Sequence, residues 1–299
     1  MDISFFIEVV AGGLLAGVMY SLVALGFVLI YKASGVFNFA QGSMVFFAAL
    51  TFVSLLERGL NVWLALAVTL AAMVVLGMAI ERVVLRPLVN QPPITLFMAT
   101  IGLTFVLEGI SQLAWGSQPH NLELGVPDVP MDWLSQQWNI NISQFDLFAA
   151  FVAGALVAVL AVFFQKTRIG RALRAVADDH QAALAVGIPL QHIWTIVWGV
   201  AGFVALVAGL MWGVRNGVQY SLTFVALKAL PVLLIGGFES IPGAILGGLI
   251  IGATEKLAEV YLGPMVGGGI ESWFAYVVAL LFLLVRPEGM FGEKHIDRV

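Results

Sequence analysis

Inside an otherwise apolar run, Thr100, Thr104, Glu108 and Gln112 recur at every fourth position. On a helix, residues four apart share one slowly drifting stripe. Polar groups in hydrocarbon are costly unless they face protein or water, so the stripe has two readings. It is the wall of a translocation path, or it is interhelical hydrogen-bond glue worth about 0.6 kcal/mol per contact. Glu108, an ionisable carboxyl, is the member least suited to glue. A second concentration is Asn38-Phe39-Ala40-Gln41-Gly42-Ser43. Asn38 and Gln41 lie three apart and share a face, Ser43 follows, and Gly42 admits a neighbouring backbone. A broken helix here would offer free backbone groups to a solute. A helix start capped by Ser34 or Asn38 beside the interface is the other reading. A third is 231–248, where Gly236 and Gly237 precede a turn and Pro242 opens the next helix. Lys228, half a span upstream, needs an ion-pair partner or a water cavity, unless it snorkels to the interface.

Other chemistries lack their residues. Neither the Gly-x-Ser-x-Gly elbow of a hydrolase nor the His-Glu-x-x-His of a zinc protease occurs. His120, His180, His192 and His295 do not cluster, and no metal site is expected. The absence of any Gly-Lys pair rules out a Walker-type phosphate loop in this chain. Without cysteine there are no disulfides and no thiolate metal sites. No long basic run points to nucleic acid, and the net charge is only −4.

The elements that hold these residues must live in lipid. Of 299 residues, 61% are hydrophobic and 11% charged; an average soluble domain carries roughly 25% charged residues. The predicted fold is all-α, a polytopic transmembrane helical bundle of about eight or nine spans with broken helices. A span needs about 20 apolar residues at 1.5 Å rise each. Candidate segments are 5–31, 36–56, 61–82, 94–115, 146–164, 191–214, 216–237, 241–262 and 270–285. Of these, 36–56, 216–237 and 241–262 are candidates for half-helices or re-entrant pieces. The amino-terminal run lacks the basic start of a signal peptide and is read as the first span, so 1–299 is expected to be a single membrane domain. Gly13/Gly17, Gly209/Gly213, Gly243/Gly247 and Gly248/Gly252 have the spacing that lets helices approach closely in lipid.

Lys and Arg are retained on the cytoplasmic side. Lys166, Arg168, Arg171 and Arg174 crowd one loop, Arg82 and Arg86 another, and Arg286, Lys294 and Arg298 the tail. Residues 116–145 have no Lys or Arg and carry Glu123, Asp128 and Asp132. Alternating the segments puts the basic clusters and the C-terminus inside and the acidic loop outside.

The cytoplasmic loop 165–190 has Ile169, Leu173, Val176, Ala177 and Leu184 at helical intervals with basic residues between, and Gly187 and Pro189 end the pattern. Such a helix lies on a membrane surface or docks into a groove of another protein. Gln181-Ala182-Ala183, three residues, then Gly187 resembles the coupling loop of ABC importer permeases, whose pattern is Glu-Ala-Ala, three residues, Gly. Gln181 departs from it, and the later Leu-Pro of that pattern is missing. The remainder resembles branched-chain amino acid permeases of the LivH type. The residues that carry this are Gly17 to Tyr31 followed by Asn38-Phe-Ala-Gln-Gly42, Glu81-Arg82-Val-Val-Leu-Arg86-Pro87, and Arg168-Ile-Gly170-Arg171-Ala-Leu-Arg174. Ser240-Ile-Pro-Gly-Ala244 and Arg286-Pro-Glu-Gly289 with Gly292 complete the set, in order along nearly the whole chain. Phe47-Ala48 stands where many members have glycine.

The resemblance implies a heteromeric ABC importer in a bacterial inner membrane. Its other parts would be a second permease of LivM type, two ATP-binding subunits holding ATP and magnesium, and an extracytoplasmic solute-binding protein. This chain would bind no cofactor and hydrolyse nothing. Arg168, Gly170, Arg171, Arg174, Gln181, Ala182, Ala183 and Gly187 would contact an ATP-binding subunit, with the arginines facing an acidic groove. The loop 116–145, with Trp133 and Trp138, would lie where the binding protein docks, or would be an interfacial loop with aromatic anchors. The rival is an ion-coupled secondary transporter using Glu108 or Glu255.

Overall fold

The computed structural model describes residues 3–88, 91–178 and 180–292, with the side chains of all but Pro93, Asp178, His180 and Gln181. Among the described residues the regular structure is all helical, with two isolated bridges, His120 with Val218 and Pro130 with Ser143, in the connecting stretches. Each of the nine predicted segments forms a helix. Among the described residues six are long and apolar enough to cross a membrane: Ile3–Ser34 (α1), Val62–Leu88, Ile94–Trp115, Gln144–Lys166, Leu190–Asn216 and Ile241–Tyr261. Three are shorter: Gln41–Glu57 (α2), Tyr220–Gly236 and Glu271–Val285.

The breaks fall differently from expectation at two places. The 241–262 segment, a candidate half-helix, is unbroken. The stretch from Val62 is instead composite: α3 (Val62–Ala79) passes into a π-helical segment, Ile80–Leu85, and a 3₁₀ turn, Arg86–Leu88. The predicted breaks at 36–56 and 216–237 are present. After α1 ends at Gly35 (φ 68°), residues 35–40 run irregularly and α2 begins only at Gln41. Tyr220–Gly236 divides into a 3₁₀ turn (Tyr220–Phe224) and two short helices. The remaining elements are α4 (Pro93–Trp115), α5 (Asp132–Trp138), α6 (Gln144–Lys166), α7 (Arg168–Asp178), α8 (His180–Ala185), α9 (Leu190–Asn216), α10 (Val225–Lys228), α11 (Leu230–Gly236), α12 (Ile241–Tyr261), α13 (Gly263–Val266) and α14 (Glu271–Val285).

The chain packs as two compact units. One comprises the described residues of Met1–Leu25, Leu124–Val157 and Leu227–Val299; the other those of Gly26–Glu123 and Ala158–Ala226. In the first, α1 crosses α12 backbone to backbone. A Cβ on Gly13 would lie 2.7 Å from Gly252 O, and one on Gly17 2.5 Å from Gly248 O. Lipid supplies no hydrophobic drive between helices, so this close approach is what packs them. The α11–α12 hairpin turns at Gly237 (φ 97°), and Ser240 caps α12 by accepting from Gly243 N at 3.0 Å. The tail motif closes over that turn, Met290 N donating to Ile235 O at 2.7 Å. Lys228 is satisfied by an ion pair: its Nζ lies 3.2 Å from Glu255 Oε1, which also accepts from the Tyr20 hydroxyl at 3.2 Å.

In the second unit α9 is the central post. A Cβ on Gly77 of α3 would lie 2.5 Å from Trp198 O, one on Gly202 2.6 Å from Met73 O, and one on Gly209 2.6 Å from Val45 O of α2. Two helices, α3 and α2, are thereby clamped to α9 along its length.

Candidate functional site

The irregular stretch 35–40 is held by its own polar side chains and by α4. Asn38 Oδ1 accepts from Ala40 N at 3.1 Å, an Asx-type turn, and Asn38 Nδ2 donates to Gln41 Oε1 at 3.3 Å. Thr100 Oγ1 on α4 accepts from Phe39 N at 3.3 Å and lies 3.2 Å from Phe37 O, fastening the break to that helix. Phe37 stacks on Phe27 and meets Phe39 edge-on, and Phe39 meets Phe97. Asn38 thus organises the turn, while α2 itself starts without a side-chain cap. The helix break is present, but neither Ser34 nor Asn38 caps α2: their side chains accept from Val36 N and Ala40 N instead.

One turn further, Ser43 Oγ donates to Glu108 Oε1 at 3.0 Å, and Tyr220 Oη donates to Glu108 Oε2 at 3.3 Å. Glu108 is buried, and among the described residues no ion pair involves it. Both carboxyl oxygens therefore take hydrogen bonds from neutral hydroxyls, which costs less to exchange than an ion pair. Gly42 lies directly against the Thr223 carbonyl and Ala226, so the 3₁₀ turn that carries Tyr220 abuts the start of α2. The Gln41 Nε2 amide is buried with no hydrogen-bond partner, beside Gly26 of α1. An unpaired buried donor is expensive, and here it lies two residues before Ser43, which serves the carboxyl.

Of the predicted stripe, Thr100 and Glu108 join Asn38, Gln41 and Ser43 in this cluster. Thr104 is half-buried and returns its hydroxyl to Thr100 O at 3.0 Å. Gln112 is exposed and takes no part. Tyr220 and Ser111 were not foreseen. Ser111, three residues beyond Glu108, is buried with its hydroxyl on Leu107 O at 2.7 Å. Tyr220 sits at the head of a predicted broken segment; its phenol in an apolar context was the available signal.

The second candidate region is the 165–190 loop, two helices rather than one. Gly170 rests directly on the Phe164 backbone, which admits no side chain, and Leu173 and Val176 are buried. Arg168 and Arg171 are exposed. Arg174 turns back instead, donating to Phe164 O at 2.9 Å and Gln165 O at 3.4 Å, so that its guanidinium caps α6 and does not face outward. Ala182 is exposed and Ala183 buried; Gln181 lies in α8 with its side chain outside the described residues. Gly187 (φ 85°) closes α8 in a Schellman motif, Ile188 N to Ala183 O at 2.9 Å and Gly187 N to Leu184 O at 3.0 Å. In the acidic loop, Trp133 and Trp138 are exposed, and Glu8 accepts from Asn141 N at 2.8 Å.

Comparison with known proteins places this arrangement. The family model described as "Branched-chain amino acid transport system / permease component" matches residues 9–286. The high-affinity branched-chain amino acid transport system permease protein LivH of Escherichia coli is 27% identical over 310 residues, covering 99% of this chain and 98% of that one. BraD of Pseudomonas aeruginosa, described in the same words, is 28% identical over 309 residues, 100% of this chain and 99% of its own. The ribose import permease protein RbsC of Escherichia coli is 23% identical over 89% of this chain and 80% of that one. Among solved structures, PsaBC from Streptococcus pneumoniae in complex with Fab shares the fold, with a TM-score of 0.51 at 14% identity over 97% of this chain and 98% of that one.

Proposed function

The chain belongs to the branched-chain amino acid transport permease component family, and from that premise we propose that it admits branched-chain amino acids, or related small polar solutes, into the bacterial cytosol as the permease of a binding-protein-dependent ABC importer. A permease component of this family works with ATP-binding and solute-binding components. In the proposed assembly 1–299 acts as one transmembrane domain beside a second permease of LivM type. Two ATP-binding subunits hold ATP and magnesium, and an extracytoplasmic protein delivers solute. The C-terminus and the 165–190 loop face the cytosol, and the loop seats in an ATP-binding subunit through Arg168, Arg171 and the 181–187 segment.

The observation that carries the reading is a buried carboxyl, Glu108, served only by hydroxyls beside a broken helix. An ammonium group brings three donors and a charge that the Ser43 and Tyr220 hydroxyls lack. It can displace them from Glu108 and leave again, because among the described residues no lysine or arginine is paired with it. Tyr220 and Phe224 are exposed on this chain, so a second permease has a surface on which to complete the path. Asn38, Gln41 and Thr100 hold the break in place beside it.

The test is uptake of radiolabelled leucine in liposomes. With both ATP-binding subunits, the second permease and the binding protein present, accumulation is expected only when ATP is supplied. Accumulation by this chain alone, driven by a proton or sodium gradient, would overturn the reading in favour of a secondary transporter.

A further inference from the structure

The first turn of α9 joins the cytoplasmic loop to the helix break. The link from α8 is stiff: the Schellman closure at Gly187 is followed by extended Pro189, and α9 starts at Leu190. One turn in, two adjacent residues reach different helices. Trp194 Nε1 donates to Ala33 O at 2.8 Å, and the single Thr195 hydroxyl proton is shared between two acceptors, Glu81 Oε2 at 3.3 Å and Gln191 O at 2.8 Å.

Ala33 lies two residues before Gly35, where α1 gives way to the 35–40 break. Its carbonyl is among those a helix end leaves without an intrahelical partner, so the indole caps α1 at the point where the chain turns toward Asn38 and Gln41. Glu81 is buried in the π-helical segment and held by Arg86, from Nε at 3.1 Å and Nη2 at 3.0 Å. With Gly77 and Gly202 clamping α3 on α9, the Thr195–Glu81 contact continues that close packing toward the start of α9. Leu184 of α8 and Pro189 line a cavity of about 340 Å³ together with Glu81, Arg86, Leu190, Gln191 and Trp194.

We propose that Trp194 is a positioning residue for transport: its indole on the Ala33 carbonyl is the link by which displacement of the 168–187 loop reaches the helix break, and the Thr195–Glu81 contact stiffens the lever behind it. The inference rests on the reading of that loop as the ATPase contact. Coupling requires an element with two arrangements that both sites bias, and the break at 35–40 is that element.

The experiment measures ATP hydrolysed per leucine imported by the complete importer in liposomes. Trp194→Phe keeps an aromatic ring and removes the donor; Thr195→Val removes the hydroxyl and Thr195→Ser keeps it. Expected are an assembled complex with ordinary basal hydrolysis and ATP consumption per leucine raised about tenfold in Trp194→Phe, within the usual range of coupling between sites. Thr195→Val should raise it less, and Thr195→Ser should restore the ratio. An unchanged ratio in both Trp194→Phe and Thr195→Val overturns the proposal, as does loss of the complex in Trp194→Phe with an unchanged ratio in Thr195→Val. Arg171→Glu separates the two ideas. If it leaves coupling intact, the loop is not the ATPase contact. If it uncouples while the Trp194 and Thr195 variants do not, the loop assignment stands and the relay falls.

Discussion

Glu255 and Glu108 are both buried carboxyls in helices of one chain, yet they are satisfied in opposite ways. Glu255 is matched from within, with an ammonium at 3.2 Å, a tyrosine hydroxyl at 3.2 Å, and Glu271 at 3.9 Å on the far side of the same Lys228. Glu108 has a serine and a tyrosine hydroxyl and no cation among the described residues. The first group has its charge already matched inside the chain, with both donors on Oε1. The second holds its acceptor capacity with partners that can be replaced. A carboxyl with its own lysine is a structural joint; a carboxyl left to hydroxyls at a helix break is a place for a visiting donor.

The largest effect should come from breaking the joint. Lys228→Met strands Glu255, and removing one partner of a buried pair costs about 3–5 kcal/mol; the partial exposure of Lys228 favours the lower end. Thermal unfolding in detergent should show this loss, and adding Glu255→Leu should return most of it. Uptake per folded molecule should stay near normal in the double variant. Abolished uptake there would move the Lys228–Glu255 pair onto the solute path and erase the contrast.

Glu108→Gln should do the reverse. The amide keeps hydrogen bonds to both hydroxyls, so stability should change by less than about 1 kcal/mol. Removing the charge should lower leucine uptake by about tenfold, equivalent to ~1.4 kcal/mol. Unchanged kinetics in this variant would return Glu108 to interhelical glue.

This contrast was only half legible in the sequence. Helical rise against apolar run length located all nine segments, because a span in lipid leaves the chain little choice of secondary structure. The glycine spacings likewise pointed to the contacts found at Gly13, Gly17, Gly248 and Gly252. The stripe failed at its far end for a geometric reason. Residues four apart advance about 40° beyond a full turn, so Gln112 stands roughly 120° from Thr100 and has left the shared face. Tyr220 meets Glu108 across 112 residues of chain, a pairing that no local pattern encodes. The basic face of the loop misled in its own way. The resemblance implies three arginines facing a partner, but the open carbonyls ending α6 claim Arg174 first. The π-helical segment with Glu81 leaves no mark in the local pattern, whose residues read as plain helix.

The smallest effects sharpen the comparison most, since each removes one oxygen and nothing else. Tyr20→Phe takes a hydroxyl from Glu255, which keeps Lys228; Tyr220→Phe takes one from Glu108, which keeps only Ser43. Each lost bond is worth about 1 kcal/mol in stability, so unfolding should shift little and by similar amounts in both. Transport should separate them. Tyr220 is one of the two groups that a solute ammonium must displace, so its removal should change the leucine concentration for half-maximal uptake by about fivefold, the effect of ~1 kcal/mol. Removing Tyr20 should leave that concentration unchanged. Equal kinetic effects, or an effect from Tyr20 alone, would mean that the two carboxyls are not specialised in the way their partners suggest.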